Sequence, residues 1–295
     1  MSDQQSQGEG LGNQPEPPFP QQRQNPPGTE SAMQPRPDYG RESYRGTGRL
    51  EGRAAIITGG DSGIGRAVAI AFAREGADVL IAYLEEESDA RETVEAVESS
   101  GRRCVAIEGD IGDEQHCQSL VRRAMDEFGR LDVLVNNAAH QMEREGILDL
   151  PSDEIERVFR TNILAMFWLC KAAIPHMTEG GAIINTASVE AYQPKPALLH
   201  YATTKGAIVT FTKGLAQELA PKGIRVNAVA PGPVWTPLIP MSMPPEHVEK
   251  FGSSAPIGRA AQPVELAPAY VYLASPESSY TIGTVIGVHG GMPHP

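Results

Sequence analysis

Ala54-Ala55-Ile56-Ile57-Thr58-Gly59-Gly60-Asp61-Ser62-Gly63-Ile64-Gly65 is the stretch on which the fold turns. Its first half is a short apolar run with β-branched residues, the pattern of a strand buried on both faces. From Gly65 to Glu75 the apolar positions recur at helical spacing. The turn between the two is glycine-rich. Glycine permits positive φ and lets the backbone approach a ligand closely, and the helix that follows presents unpaired N–H groups and its dipole to a phosphate. A tight structural turn would use the same residues, and the spacing is Gly-x-x-x-Gly-x-Gly, not Gly-x-Gly-x-x-Gly. Its position directly between the first strand and the first helix favours the phosphate cradle.

The same rhythm continues outward. Strands are expected at 54–58, 78–83, 103–108, 131–136, 182–186, 225–230 and 284–288, each apolar on both faces. Amphipathic stretches lie between them at 65–75, 88–99, 114–128, 152–177 and 199–219. Strand–helix alternation with right-handed crossovers predicts an α/β, doubly wound, Rossmann-type parallel sheet of seven strands with helices on both faces. One segment, 231–263, breaks the rhythm with several prolines, Trp235, Met241 and Met243, and a short helical piece around 246–251. A long interruption after the carboxyl end of a strand reads as a substrate lid.

Residues 1–49 are different in kind. They are rich in Gln, Pro, Gly and Arg, and runs such as Gln14-Pro15-Glu16-Pro17-Pro18-Phe19-Pro20 sustain neither a helix nor a central strand. The expected organisation is an extended tail over 1–49 and a single domain over 50–295. Phe19, Met33, Tyr39 and Tyr44 are anchors that a groove, expected on a neighbouring subunit, would hold; a freely mobile leader is the alternative.

The formal net charge is −12 and no dense basic cluster is present, so a nucleic-acid partner is not expected. The most apolar run, 163–170, is too short to span a bilayer, so no membrane association is expected. Cys104, Cys117 and Cys170 are odd in number and have no ligand spacing, which favours buried thiols in a reducing, cytoplasmic setting and no metal site. The N-terminus lacks the basic start and apolar stretch of a secretory signal.

The chemistry-bearing set is Ser188, Tyr201 and Lys205. Tyr and Lys at i and i+4 share a helix face, where an ammonium favours ionisation of a phenol whose usual pKa is about 10. A serine hydroxyl from a neighbouring loop would bind the oxygen that gains or loses the proton. Such a set suits interconversion of a carbonyl and an alcohol. A surface Tyr and Lys with an unrelated Ser is the plain reading of the triplet alone.

Taken in order, the Thr58–Gly65 turn, Asp110, Asn136-Asn137-Ala138, Asn162, Ser188, Tyr201/Lys205 and Pro231-Gly232 with Thr236 resemble the short-chain dehydrogenase/reductase family over residues 50–292. The leader, the Gly-Gly-Asp-Ser-Gly-Ile-Gly turn and the Met-Pro-His-Pro end are more specifically similar to the glucose/ribitol dehydrogenase-like, general stress oxidoreductase subgroup. The resemblance implies Tyr201 as general acid/base, Lys205 lowering its pKa and binding the nicotinamide ribose, Ser188 orienting the substrate oxygen, and Asn162 holding a proton-relay water. It implies a dinucleotide lying along Thr58, Gly59, Asp61, Ser62, Gly63, Ile64 and Gly65, with Tyr83, Leu84, Asp110, Ile111, Asn136, Asn137 and Ala138 on the adenosine side. Pro231, Gly232, Val234 and Thr236 would meet the carboxamide end. Taken singly, Asn136 bridging two strands, Asp110 capping a turn and Asn162 bonding within a kinked helix are the favoured readings.

Ala139 stands where the family often has glycine, and His140 beside it is either a substrate contact or a packed histidine. Gln141, Glu190 and Tyr192 are the expected substrate contacts. Polar groups there suit a sugar or hydroxylated aldehyde, whereas Trp235, Leu238, Ile239 and Met241 suit an apolar carbonyl, and both stay open. The acidic run 85–87 after the second strand, with no cation nearby, favours NAD over NADP. The apolar-rich helices around 162–173 and 207–219, which relatives bury between subunits, imply a homotetramer. A dinucleotide-binding redox sensor and a stress-related scaffold without turnover are the competing classes.

Overall fold

The computed structural model describes residues 14–292 of the chain. The seven strands are β1 (Ala54–Thr58), β2 (Asp78–Tyr83), β3 (Cys104–Glu108), β4 (Val133–Asn136), β5 (Ala182–Thr186), β6 (Arg225–Pro231) and β7 (Val285–Val288). They form one parallel sheet in the order β3-β2-β1-β4-β5-β6-β7. The order reverses between β1 and β4, so the loops leaving their carboxyl ends diverge and open a crevice, the usual ligand position in such sheets. The central strands are buried along their length because helices cover both faces.

α1 (Gly63–Arg74), α2 (Glu87–Glu98) and α9 (Pro263–Ala274) contribute to the core on one side. α3 (Glu114–Phe128), α5 (Ala165–Ala173) and α6 (Leu199–Leu219) pack on the other. Three strand starts expected from the sequence are displaced, at 103, 131 and 284, to Cys104, Val133 and Val285. Asp132 does not extend β4, because its carboxylate accepts the Ala54 N–H (2.8 Å) and binds Arg130, and Arg103 spends its guanidinium on Asp78.

The helix expected over 152–177 is four pieces. α4 (Ser152–Phe159) runs into a π-turn (Arg160–Leu164), then α5, then a 3₁₀ turn (Ile174–His176). The Ala165 N–H reaches back five residues to the Arg160 carbonyl, which inserts an extra residue and places Asn162 at the step. The interrupted segment after β6 carries two short helices, α7 (Leu238–Ser242) and α8 (Pro245–Glu249).

Residues 14–53 contain no helix or strand, as expected, but they do not lie free and do not need a second chain. Phe19 stacks on Trp235 (centroids 4.1 Å apart), and the two join Met33, Ile239, Val248 and Ala260 in a separate apolar core shared by tail and lid. Burying side chains of this size contributes about 1.5–3 kcal/mol each. The Trp235 Nε1–H donates to the Pro35 carbonyl (2.8 Å). Further along, Tyr39 lies under the Arg66 guanidinium, and the Tyr44 hydroxyl donates to the Glu75 carboxylate (2.7 Å). The anchors named from the sequence are thus buried in the same chain that carries them. Residues 1–13 and 293–295, including most of the Met-Pro-His-Pro end, lie outside the described residues.

Candidate active site

α1 begins at Gly63 with Ser62 as its N-cap, and Ser62 makes no side-chain capping bond. The first turn carries no acidic side chain either, so the helix end keeps its donors and dipole for an anion. Gly63 has φ 51°. A Cβ on Gly65 would sit 1.8 Å from the Gly59 carbonyl oxygen, so only glycine allows this close folding of turn on helix. Thr58 holds the floor, its hydroxyl accepting the N–H groups of Asn137 (3.0 Å) and Ala138 (3.1 Å). Such a cradle fits a dinucleotide pyrophosphate.

The cradle is one end of a cleft of about 730 Å³. Asp61, Ser62, Gly63 and Ile64 line it at the turn, Tyr83 and Leu84 after β2, and Asp110 and Ile111 after β3. Asn137 follows from β4, and Pro231, Gly232, Val234 and Thr236 come from the end of β6. Ser188, Tyr201, Lys205, Gln141 and Glu190 complete the far end. Thr58, Gly59, Gly65 and Ala138 do not line the cleft but pack on one another at the turn. Three expectations are corrected. Asn136 does not line the cleft; its amide donates to Asn185 (2.8 Å) and bridges β4 to β5. Tyr192 packs against the core under α6, and Trp235 is withdrawn beneath the tail. His200 is buried beside Glu154 (3.2 Å) on another face of α6.

β5 ends at Thr186, and Ser188 stands just beyond it, where α6 brings Tyr201 and Lys205 alongside. The Tyr201 hydroxyl is hydrogen-bonded to Ser188, whose Oγ also accepts the Glu190 N–H (3.1 Å). Lys205 donates to the Thr186 carbonyl (2.7 Å), and its Nζ lies 5.2 Å from the Tyr201 ring centroid. Burial dominates the titration of both groups. It holds the Tyr201 phenol above its ordinary value despite the Ser188 bond, with Glu190 adding to the rise, and it pushes the Lys205 amine down to about 7. The expected lowering of the phenol by the amine is therefore outweighed within the protein alone.

Asn162 is held by protein through both its amide oxygen and its amide nitrogen. Its oxygen accepts the His140 N–H (2.8 Å), and its amide donates to the His140 carbonyl (3.0 Å) and to Thr204 (3.1 Å). It pins the loop after β4 to α6, next to Lys205. Asp110 is also engaged, accepting from Gly112 (2.7 Å) and pairing with Arg157. His140 lines the cleft, its imidazole depressed by burial and by Arg157. At the adenosine corner Asp61, Glu85 and Glu86 line the wall. Burial, and then the Glu86 charge, raise Asp61 to about 7. Glu87 faces away, to Arg91 on α2. Arg66, one turn into α1, was missed in the sequence. It is fully buried and occupied by the Asp61 and Asp89 carbonyls, Glu92 and Glu30. The signal was its place beside Ile64-Gly65.

A phosphate cradle at one end of a Rossmann crevice and a buried Ser–Tyr–Lys set at the other define a dinucleotide-dependent oxidoreductase. The family described as enoyl-(acyl carrier protein) reductase matches residues 59–293, and the chain belongs to the short-chain dehydrogenase/reductase family. It is 57% identical to the uncharacterized oxidoreductase YhdF of Bacillus subtilis, over 92% of this chain and 94% of that one. It is 48% identical to the glucose and ribitol dehydrogenase of Daucus carota, over 92% of this chain and 96% of that one. A short-chain dehydrogenase of Burkholderia cenocepacia, solved with NADP, superposes with a TM-score of 0.78 at 35% identity, covering 82% of this chain and 98% of that one. A 3-ketoacyl-(acyl-carrier-protein) reductase of Brucella melitensis, solved with NADH, gives 0.75 at 34% identity, covering 82% and 98%. A nicotinamide dinucleotide is thus the cofactor class of the site. Among the described residues no helix is long and apolar enough to cross a membrane.

Proposed function

We propose that the protein interconverts a carbonyl and an alcohol on a small molecule, with NAD favoured over NADP. The observation that carries this reading is the convergence of Ser188, Tyr201 and Lys205, all buried, at the end of the cleft opposite the phosphate cradle. A bound nicotinamide supplies or takes the hydride. Tyr201 gives its proton to the carbonyl oxygen as the alcohol forms, and takes it back in oxidation. Ser188 holds that oxygen beside the phenol. Lys205, fixed on Thr186, faces the Tyr201 ring and the ribose end, and Asn162 keeps the neighbouring loop and α6 in register.

Around the reacting oxygen the cleft offers Gln141 and the Glu190–Lys195 pair, with Leu238, Met241 and Met243 closing it from the lid. This mixture suits a hydroxylated aldehyde, sugar or polyol bound polar side down. NAD is favoured because Asp61, Glu85 and Glu86 face the ribose corner, where a 2′-phosphate would meet carboxylates and no free cation. Four subunits would cover the face where Leu164 and Phe167 stand exposed and Phe167 stacks edge-on against Phe211. The three free cysteines suit a cytoplasmic setting. Absorbance of NADH and NADPH, followed with a panel of aldehydes, sugars and polyols, tests the reading; no turnover with any member, despite dinucleotide binding, favours a sensor or scaffold instead.

A further inference from the structure

The tail crosses the cleft at the point where a dinucleotide pyrophosphate would lie. Pro26, Pro27 and Gly28 line the same cavity as the Gly-rich turn and the lid. On one side of this crossing the tail is tied to the lid. Phe19 N–H donates to the Glu249 carbonyl (2.8 Å), Gln24 N–H to the Pro240 carbonyl (2.9 Å), and Phe19 is stacked on Trp235. A Cβ on Gly28 would lie 2.9 Å from the Pro237 oxygen and 3.2 Å from the Met241 Cβ, so tail and α7 meet without a gap.

On the other side the tail is tied to the turn. The Glu30 N–H donates to Asp89 (2.8 Å) at the start of α2, and the Glu30 carboxylate meets the Arg66 Nε (3.1 Å). Both side chains are completely buried, and that ion pair is the principal compensation for the Glu30 charge, whose oxygens have no other bond of good geometry. Arg66 in turn holds the Asp61 carbonyl of the Gly-rich turn (2.6 Å). Glu30, Arg66 and Asp61 thus form a continuous link from the tail into the phosphate cradle. The superposed dehydrogenases cover nearly all of their own chains but leave unmatched a share of this one about as long as the tail.

We infer that residues 24–30 are part of the dinucleotide site, a strap that joins lid to Gly-rich turn and governs how fast the cofactor enters and leaves, with Phe19 and Glu30 as its positioning residues. The inference rests on the reading of the cleft as a dinucleotide site. A cofactor seated beneath the strap leaves only when the Phe19 stack or the Glu30–Arg66 tie lets go. Loosening either end speeds release and weakens binding, and fastening the strap to the lid slows exchange. The residues of the Ser–Tyr–Lys set touch neither end.

Two opposite perturbations of the full chain test this. Stopped-flow displacement of NADH, and of NADPH in parallel, gives koff, with melting temperature recorded for every variant. Phe19→Ala and Glu30→Gln are each expected to raise koff about tenfold. The double variant Gln21→Cys/Glu249→Cys, at two side chains that meet in an exposed hydrogen bond of 2.8 Å between tail and lid, bridged by a short reducible thiol cross-linker, is expected to lower koff about tenfold and to recover on reduction. A role confined to stability does not produce a reversible slowing. Should wild type bind dinucleotide while koff of both the loosened and the locked variants stays within about twofold of it, the strap is overturned and the site reading stands. If wild type binds neither dinucleotide, the site reading fails and the strap falls with it.

Discussion

The Lys205 Nζ is fastened to the main-chain carbonyl of Thr186, 2.7 Å away, so the helix that carries Tyr201 is tied to the strand end that leads to Ser188. With the Asn185 amide bonded to the Thr212 hydroxyl (2.9 Å), this bond holds the two elements together at the site. Because the amine is buried and depressed to about 7, this bond is made by a group poised between its two protonation states near neutrality.

Tyr201→Phe is expected to abolish turnover while leaving dinucleotide binding intact. The ring stays packed, and only the hydroxyl bonded to Ser188 is removed. A kcat above about a tenth of wild type, a barrier change under ~1.4 kcal/mol, overturns the assigned role.

NADH is expected to bind more tightly than NADPH, because Asp61, Glu85 and Glu86 face the ribose corner and Arg66 is fully engaged. Fluorescence titration of both checks it, and a lower Kd for NADPH reverses the assignment. Glu85→Arg, at an exposed position, should then move the ratio toward NADPH by about tenfold, the scale of one charge reversal near a phosphate.

Glu75→Gln should loosen the junction of tail and domain. Burial raises the Glu75 carboxyl, but bonds from Arg49, Tyr44 and Thr47 outweigh it and hold the group at about 2. The native pKa lies below the unfolded one, so its contribution is full above pH ~4.5 and is lost as pH falls toward 2. Loss of about 2–4 kcal/mol at neutral pH is expected, shrinking across that acid window. A difference in melting temperature that does not change with pH contradicts it.

Phe167→Glu is expected to break the assembly. Phe167 is 47% exposed and stacks on Phe211, and a buried carboxylate there would have no partner. Light scattering should fall from tetramer mass to that of a smaller species. A wild type that is already monomeric defeats the proposal.

Much of this was legible in the sequence because it is local. Each strand core was read within two residues at either end, since a parallel strand buried on both faces announces itself by its β-branched run. The π-turn at 160–164 was invisible, as it changes the hydrogen-bond partner without changing the apolar pattern. Helix α9 was not among the expected stretches, and it carries two prolines, Pro263 and Pro268. Pro263 sits at the first helical position, where its missing N–H costs nothing, but Pro268 lies in the interior. The Gly-rich turn was readable from its place between strand and helix and the Ser–Tyr–Lys set from its order among other motifs, whereas Asn136 and Tyr192 were misplaced because which way a side chain faces depends on neighbours far along the chain. The docking of the tail was least legible of all: Trp235 and Pro35, joined by a hydrogen bond, are 200 positions apart.

That separation also fixes an order of events during synthesis. A ribosome releases Phe19 long before it has made Trp235 or Glu249, so the first described segment of the polypeptide must wait, unpartnered, until most of the rest exists. Its proline-rich composition keeps it from collapsing into a wrong helix or strand in the meantime. A segment made early thus takes its place only after the lid that holds it has been made.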